Sequence, residues 1–318
     1  MNMNTSNLEN NIYRFLSDSN SIKGVIHISH GMAEHIGRYE WLINNLNRDG
    51  YHVIAIDHRG HGRRIENNKG YFADHNGWSL VVNDLIKIIS LTNKEYPNLR
   101  QYLIGHSMGS WISLAAVQEG VNIDGLILSG SSKVQSSIIR IQRLIILFQM
   151  LFFGKKAVGK FLDNITLGQY NKFFIPNRTA KDWISSDNLN VDNYVNDPLC
   201  GYPVTIGLWN DLSKGMLNVF KKSRYAQLNK TMPVYIISGS RDPVGENGNG
   251  VQRLYDFLNS IYKNVDISFK EFLYGSIFNS FIICPLQDFL VVDTIQVGYH
   301  LLHHSRDMIP FYMYHNQA

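Results

Sequence analysis

A serine between two glycines, in the segment GHSMG at residues 105–109, is the clearest candidate for chemistry in the sequence. It follows a short apolar stretch, Gln101–Ile104, and precedes a helix-length stretch, Met108–Gln118, which together predict a strand, a sharp turn and a helix. Glycines permit such a turn because they bring no side chain close to the nucleophile. The turn would lift the Ser107 hydroxyl above a sheet and aim the Met108 amide at the same place, as a donor for an oxyanion. The pattern therefore predicts nucleophilic acyl transfer by Ser107.

The segment HGMAEH, at residues 30–35, is a second candidate because it directly follows the apolar stretch Gly24–Ser29. A turn of small residues at the end of a strand can offer another backbone donor, and the Met32 amide is best placed for the same oxyanion. The alternative is an ordinary strand-to-helix loop, with Glu34 interacting with the dipole of the helix that follows. Beside the serine turn, the oxyanion-hole interpretation is favoured.

A carboxylate on a rigid turn, Asp242 in the segment SGSRDPVG at residues 238–245, is the third candidate. Pro243 fixes the chain, so Asp242 could orient a catalytic imidazole and stabilise its protonated form. The alternative is a turn aspartate that accepts hydrogen bonds from local amides. Serine before aspartate is the chain order that accompanies such a serine turn on an α/β sheet.

Short apolar stretches alternate with helix-length stretches over two-thirds of the chain. This alternation is typical of βαβ units in an α/β fold, with a mostly parallel sheet and helices on both faces. The predicted strands are Gly24–Ser29, His52–Ile56, Gln101–Ile104, Gly125–Leu128, Val234–Ser238 and Val265–Phe269. The predicted helices include Tyr39–Asn47, Trp78–Glu95 and Met108–Gln118.

The alternation stops after Leu128 and resumes only at Pro233, and a segment of this length is too long for a loop. Ligands bind at the carboxyl edge of open α/β sheets, so a substructure inserted there is predicted to form a cap. We expect a core of residues 1–132 and 206–275, a cap of residues 133–205, and an atypical tail of residues 276–318. Within the cap, residues 188–203 are expected to be irregular.

An apolar stretch at residues 138–153 predicts a helix in the cap, with Arg140 and Arg143 on one of its faces. One interpretation is a lid helix that touches a membrane or micelle and admits an acyl chain. The other, which we favour for most of its residues, is a cap helix packed on the core. The longest apolar run, Leu144–Phe153, is too short to span a bilayer, which needs about 20 residues.

Composition argues against several other classes of protein. The chain of 318 residues is 44% hydrophobic and 18% charged, and its net charge of +4 is spread along the sequence, which does not indicate nucleic-acid binding. Cys200 and Cys284 do not make a disulfide framework, and the first residues lack the basic and apolar regions of a signal peptide. We therefore expect a cytoplasmic protein without a metal or a cofactor.

Five segments carry a family resemblance: HGMAEHIGRYE from residue 30, DHRGHG at residues 57–62, GHSMGS from residue 105, DPLCG at residues 197–201 and SGSRDPVGENGNGV from residue 238. Together they resemble the α/β-hydrolases of the monoacylglycerol lipase and bacterial lysophospholipase group, also classed with the S33 serine aminopeptidase-like hydrolases. The resemblance implies an α/β-hydrolase fold with an inserted helical cap. It implies Ser107 as nucleophile, Asp242 as the acid of a triad, and the Met32 and Met108 amides as the oxyanion hole. The implied substrate is a lysophospholipid or a monoacylglycerol. The segment DHRGHG is expected to be a structural turn.

The sequence departs from the family at the catalytic histidine, which the family places in the loop after the last strand. Here that loop reads SIFN at residues 276–279, and no histidine lies between Asp242 and Tyr299. The candidates for the base are the tail histidines His300, His303 and His304. Their H-x-x-H-H spacing does not predict a zinc site, because the glutamate of H-E-x-x-H is missing.

Two functions therefore stay open at this point. The first is a serine hydrolase that cleaves lysophospholipids or monoacylglycerols through an acyl-enzyme on Ser107, with transient contact between the cap and a membrane surface. The second is a catalytically impaired homologue that binds lipid, or a degenerate gene product. The tail supports the second function, because after Lys270 there is no lysine and a single arginine, Arg306, which is consistent with a C-terminus replaced through a shifted reading frame.

Overall fold

The computed structural model describes residues 8–225, 230–239, 241–262 and 267–272, the last range by its backbone. Within these residues the strands are β1 (Ile12–Phe15), β2 (Gly24–Ser29), β3 (Tyr51–Ile56), β4 (Arg100–His106), β5 (Gly125–Ser129), β6 (Val234–Gly239) and β7 (Ile267–Phe272). They form one sheet in the spatial order β1-β3-β2-β4-β5-β6-β7. β1 pairs with β3 in the antiparallel sense, and the other six strands run parallel.

The helices lie between these strands in the order that the sequence predicts. Their bounds in the described residues are α1 (Glu40–Arg48), α2 (Gly77–Glu95), α3 (Met108–Gln118), α4 (Ser136–Phe153), α5 (Lys160–Ile165), α6 (Leu167–Tyr170), α7 (Asn188–Asn196), α8 (Ile206–Val219) and α9 (Asn249–Asn259). The three predicted helices are confirmed, and so are the six predicted strands, with ends that shift by a few residues. Residues 265 and 266 of the last predicted strand lie outside the described residues.

The sheet is buried on both faces because its strands are apolar at successive positions. On β4, Leu103 packs with residues of α2, α3 and α8, whereas its neighbours Tyr102 and Ile104 pack on the opposite face with residues of α1. A parallel strand covered on both sides has this near-continuous apolar sequence rather than an alternating one. The predicted α/β fold, with helices on both faces of a mostly parallel sheet, is therefore confirmed.

The edge strand β1 is an element that the sequence analysis did not predict. Its four residues are half-buried or exposed, and one of them is Arg14. A strand this short, with only partial burial, gives almost no periodic signal. Its pairing with β3, which places Ile12 opposite Ile56, is what makes it a strand.

The expectation of an irregular segment at residues 188–203 is wrong for its first half, which forms α7. The Asp187 side chain accepts a hydrogen bond from the Leu189 amide and so caps the helix. Val191 and Tyr194, three positions apart, bury one face of the helix. Polar residues around this short apolar pair hide the helical pattern in the sequence.

The helix α4 is mostly exposed, and this contradicts the expectation that it packs largely on the core. Only Ile139 and Ile146 are buried. The large apolar side chains that it exposes are Ile138, Ile141, Leu144, Leu147, Phe148, Leu151, Phe152 and Phe153. Among the described residues α4 is also the one helix that is long and apolar enough, by length and composition alone, to cross a membrane. The helix is longer than the apolar run Leu144–Phe153 because it continues through Arg140 and Arg143, where that run stops.

Because α3 approaches β2 closely at Gly109, a side chain at this position should destabilise the fold. A Cβ atom at Gly109 would collide with the Ser29 carbonyl oxygen and lie 2.5 Å from that of His30. We expect Gly109→Ala to lower the free energy of unfolding by about 3 kcal/mol, measured by urea denaturation, because backbone on both sides must move apart. Gly168→Ala is the control, since its nearest contact is 3.4 Å away, and it should leave stability unchanged within about 1 kcal/mol. Equal stability of the two variants would contradict this packing.

Candidate active site

Ser107 lies at a strained turn between β4 and α3, as the GHSMG pattern predicts. Its backbone angles are φ +48° and ψ −119°, a conformation that residues other than glycine rarely adopt. The glycines remove side chains where the elements meet: a Cβ at Gly105 would lie 2.5 Å from Ser113 Oγ. The Ser107 amide donates to the Ser129 carbonyl at 2.9 Å, which fixes the turn to β5. The turn therefore holds the serine in one orientation at the carboxyl edge of the sheet.

A cavity of about 60 Å³ opens at Ser107 and brings together residues from separate parts of the chain. Three of the predicted site residues, Met32, Ser107 and Asp242, line it. Met108 is buried beside them as the first residue of α3, so its amide belongs to the unpaired N–H groups of that helix end. The other lining residues, which the sequence analysis did not assign to the site, are Gly31, Glu34, Arg38, His106, Gly130, Leu167, Trp183, Ile184, Tyr194 and Val244.

A buried carboxylate holds the loop that carries Met32. Glu34 Oε1 accepts hydrogen bonds from the Gly31 amide at 2.5 Å and from the Tyr39 hydroxyl at 2.8 Å. Its other oxygen accepts from Arg38 Nη1 at 2.9 Å. Burial raises the pKa of Glu34, but Arg38 and the neighbouring imidazoles outweigh burial and hold it below its ordinary value. The ionised Glu34 thus fixes the loop itself, which is more than the helix-dipole role considered from the sequence.

Residues of α7, in the segment predicted as the cap, continue this network. Arg38 Nη2 donates to Asn190 Oδ1 at 2.6 Å, and the Arg38 guanidinium lies 4.6 Å from the centre of the Tyr194 ring. Both partners belong to α7. The Gly201 amide donates to the Ala33 carbonyl at 2.9 Å. The segments DPLCG and HGMAEH, which are far apart in sequence, are therefore joined directly at the site.

Asp242 is placed on the turn after β6, with its carboxylate buried. The Val244 amide donates to Asp242 Oδ1 at 2.9 Å. Burial raises the pKa of Asp242 to about 6, although hydrogen bonds from the Val244 and Gly245 amides oppose this shift. A Cβ atom added at Gly130 would lie 3.5 Å from Asp242 Oδ2 and 3.0 Å from His106 Cε1, so any side chain there would crowd both groups. Both interpretations of Asp242 fit, since it accepts local amides and also faces the Ser107 cavity.

The DHRGHG segment folds as a turn around Asp57, in agreement with its predicted structural role. Asp57 accepts hydrogen bonds from the Ile36 amide at 2.9 Å and from the Arg63 amide at 2.8 Å. The Tyr13 hydroxyl donates to the same carboxylate at 2.6 Å. Burial lowers the pKa of the neighbouring imidazoles, which are those of His30, His58 and His61.

The candidates for the catalytic base, His300, His303 and His304, lie outside the described residues. Of the histidines in the described part of the chain, only His106 lines the Ser107 cavity. Its Nδ1 lies 3.2 Å from Ser129 Oγ, and burial lowers its pKa. In the sequence, His106 has no signal of its own beyond its place in the GHSMG turn.

One group of side chains has the composition of a metal site. Ligand atoms of His35, Asp197 and Cys200 lie within 4.8 Å of one another. The Gly37 amide donates to His35 Nδ1 at 3.1 Å, which places the proton of the neutral ring on Nε2. That nitrogen faces Asp197 Oδ2 at 2.7 Å. In this arrangement the imidazole has no lone pair for a metal, and the group serves as a hydrogen-bonded link between the two loops.

Known proteins resemble the chain over most of its length. A family model described as serine aminopeptidase, S33, matches residues 20–271. Monoglyceride lipase from Rattus norvegicus is 30% identical over 237 residues, which cover 72% of this chain and 68% of that protein. A thermostable carboxyl esterase from Bacillus coagulans, in complex with glycerol, has a TM-score of 0.73 at 24% identity, covering 89% of this chain and 91% of its own. A soluble variant of monoglyceride lipase from Saccharomyces cerevisiae, in complex with a substrate analogue, has a TM-score of 0.69 at 17% identity. This likeness covers 90% of this chain and 92% of that protein. These likenesses confirm the α/β-hydrolase fold.

The raised pKa of Asp242 predicts a stability effect that does not depend on activity. The folded-state pKa of about 6 lies above the ordinary 3.8, so the folded protein binds this proton more tightly than the unfolded chain. Stability from this group is therefore present at low pH and is lost as pH rises from about 4 to 6. We expect Asp242→Asn to raise the free energy of unfolding by about 3 kcal/mol at pH 8 and by less than about 1 kcal/mol at pH 4.

Urea denaturation at both pH values measures the difference between Asp242→Asn and the unmodified protein. The control is Asp18→Asn, which removes an exposed carboxylate and should give the same change at both pH values. The stabilisation by Asp242→Asn should be larger at pH 8 than at pH 4. If it is smaller at pH 8, the Asp242 carboxylate is not a buried charge without a compensating partner.

Proposed function

Because this chain belongs to the serine aminopeptidase S33 family and is a carboxylic ester hydrolase, we propose that it cleaves lysophospholipids or monoacylglycerols through an acyl-enzyme on Ser107. The observation that supports this proposal best is the cavity in which Ser107, Met32 and Asp242 meet. The strained turn supports it as well, because backbone strain of this kind is concentrated at sites of chemistry.

In the proposed reaction, Ser107 Oγ attacks the ester carbonyl carbon and its proton passes to an imidazole. The Met32 and Met108 amides donate hydrogen bonds to the oxyanion of the tetrahedral intermediate. The imidazole then protonates the leaving alcohol, and water attacks the acyl-enzyme in the reverse sequence to release the fatty acid. Asp242 orients the imidazole and stabilises its protonated form. In this proposal the imidazole comes from His300, His303 or His304.

The second candidate function is that of a lipid-binding homologue that has lost catalysis. Its support is a feature of the sequence: no histidine lies between Asp242 and Tyr299, where the family places its base. A serine that lacks its base loses almost all of its reactivity, because the members of a triad act as a unit. The two functions therefore differ in turnover and not in fold.

Hydrolysis of p-nitrophenyl butyrate separates these functions. We expect sustained release of p-nitrophenol by the unmodified protein and a loss of at least about 10⁴-fold in Ser107→Ala, since the nucleophile is gone. Ser137→Ala, at an exposed serine of α4, is the control and should retain full activity. Alanine variants of the three tail histidines then identify the base. A single stoichiometric burst, or no release from a folded protein, would favour the impaired homologue.

We also propose that the protein is cytoplasmic and that α4 lies flat on the inner face of a membrane while substrate is taken up. The support is the exposed apolar face of α4, on which Leu144 is 68% and Leu151 80% exposed. Arg140 and Arg143 on the same helix would favour anionic headgroups. The helix is held to the protein by Ile146, which packs against Leu162, so docking at the surface fits better than spanning.

The double variant Leu144→Ser/Leu151→Ser tests this docking. Each leucine removed from the lipid interface weakens binding, so we expect about 10- to 100-fold weaker binding to phosphatidylcholine–phosphatidylglycerol vesicles in a flotation assay. Hydrolysis of soluble p-nitrophenyl butyrate should not change. The control is Leu189→Ser, a substitution at a leucine 66% exposed on α7. If Leu189→Ser weakens vesicle binding as much as the double variant, α4 is not the docking surface.

A further inference from the structure

A second cavity, of about 260 Å³, lies directly beside the Ser107 cavity. Trp183 lines both cavities. The two are also joined through the backbone, because Arg241 lines the second and the next residue, Asp242, lines the first. The volume lies below the range of about 300–1,000 Å³ that is typical of pockets for drug-sized ligands. A group that occupied it would therefore be small and would be attached to, or next to, whatever reacts at Ser107.

Most of the charged groups around this second cavity, which we call the Arg241 cavity, already have partners. Arg178 Nη1 lies 2.5 Å from Asp192 Oδ1, and its Nη2 donates to the Asn188 carbonyl at 3.2 Å. Asp182 accepts hydrogen bonds from the Arg178 amide at 2.5 Å and from the Thr179 hydroxyl at 2.5 Å. The Asp182 carboxylate is thus used by its own loop.

Arg241 differs from these groups. Within the described part of the chain no carboxylate lies within ion-pair distance of its guanidinium, and it is exposed. The guanidinium lies over the Phe174 ring, 5.2 Å from the ring centre, which restrains its position without using its N–H groups. A planar cation with its donors available matches the oxygens of a phosphate, to which it can donate two parallel hydrogen bonds. Arg178 also lines the cavity, but its guanidinium is already paired with Asp192, so Arg241 is the cation that carries the argument.

We propose that the Arg241 cavity binds the phosphate of an anionic lysophospholipid whose acyl ester lies at Ser107. This inference rests on the proposed function and narrows its substrate class. A monoacylglycerol has no phosphate and leaves the Arg241 donors to water, so it is the weaker ligand. Ser186 also lines the cavity and is a further polar residue for the phosphate oxygens.

Binding to the Ser107→Ala protein tests this assignment without hydrolysis. The two probes are 1-octanoyl-lysophosphatidic acid and 1-octanoylglycerol, both below their critical micelle concentrations and titrated by calorimetry. We expect the phosphate-bearing lipid to bind at least about tenfold more tightly, because charge-assisted hydrogen bonds to phosphate are strong. Arg241→Ala in this background should remove most of that preference, and Arg241→Lys should keep part of it. Inorganic phosphate should compete with the first probe and not with the second.

A matched control removes one positive charge far from the cavity. Arg48 is exposed at the end of α1, next to the start of β3, and so lies at the amino edge of the parallel strands, opposite the site. Arg48→Ala should keep the full preference for the phosphate-bearing lipid. If Arg48→Ala and Arg241→Ala have equal effects, the preference comes from overall charge, and the assignment is overturned.

The remaining outcomes separate this inference from the proposed function. Equal affinity of the Ser107→Ala protein for the two lipids would overturn the phosphate site, whatever the enzyme hydrolyses. Inorganic phosphate that binds as tightly as the lipid without displacing it would also overturn the site as a substrate subsite. By contrast, a phosphate preference that depends on Arg241, in a protein that hydrolyses no ester, would support the cavity and would refute the proposed turnover.

Discussion

The backbone conformation of Ser107 is the constraint on which the rest of the site depends. A residue with a side chain at φ +48° and ψ −119° costs about 1–3 kcal/mol, so the surrounding structure must hold it there. The Ser107 amide is bound to β5, and the Ser29 hydroxyl donates to the Gly109 carbonyl at 3.1 Å, which fixes α3 against β2. Gly105 and Gly109 make these approaches possible. The serine, the Met108 amide and the sheet therefore share one rigid geometry.

Glu34 extends this rigidity from the sheet to the cap. The carboxylate is buried and remains ionised because it accepts hydrogen bonds from three donors, one of them Arg38. Arg38 in turn binds Asn190 on α7. Loss of either charge would leave its partner buried and unpaired, which is strongly destabilising. The loop that carries Met32 and the cap thus form one electrostatic unit, and the cap is coupled to the geometry of the site.

The cap presents two different surfaces. Its outer helix, α4, exposes a row of large apolar side chains, whereas the inner segments near Arg178 and Arg241 are polar and charged. This division suits an amphiphilic substrate, since an acyl chain and a charged headgroup need opposite environments. The Ser107 cavity shares Trp183 with the polar cavity, so the nucleophile lies next to the polar one of these two surfaces.

Local sequence alone determined the strand, turn and helix around Ser107, because those features depend on neighbouring residues: apolar stretches, two glycines and the absence of bulky side chains. It also determined the six parallel strands, since a strand buried on both faces is apolar throughout. It did not determine β1, whose four residues become a strand only through β3, or α7, whose apolar face is small. The exposure of α4 was also decided by tertiary structure, because an apolar stripe has the same sequence whether it meets a core or solvent.

The contacts of Glu34, the raised pKa of Asp242 and the Arg241 cavity were decided by tertiary structure alone. Each depends on burial or on partners distant in sequence: Arg38 and Asn190 are 152 positions apart. Desolvation, which sets the pKa of Asp242, has no counterpart in a linear pattern. The sequence thus named Ser107, Asp242, Met32 and Met108 as candidates. The fold brought Ser107, Asp242 and Met32 to one cavity, next to the helix end that begins with Met108, because only packing in three dimensions sets distances and removes water.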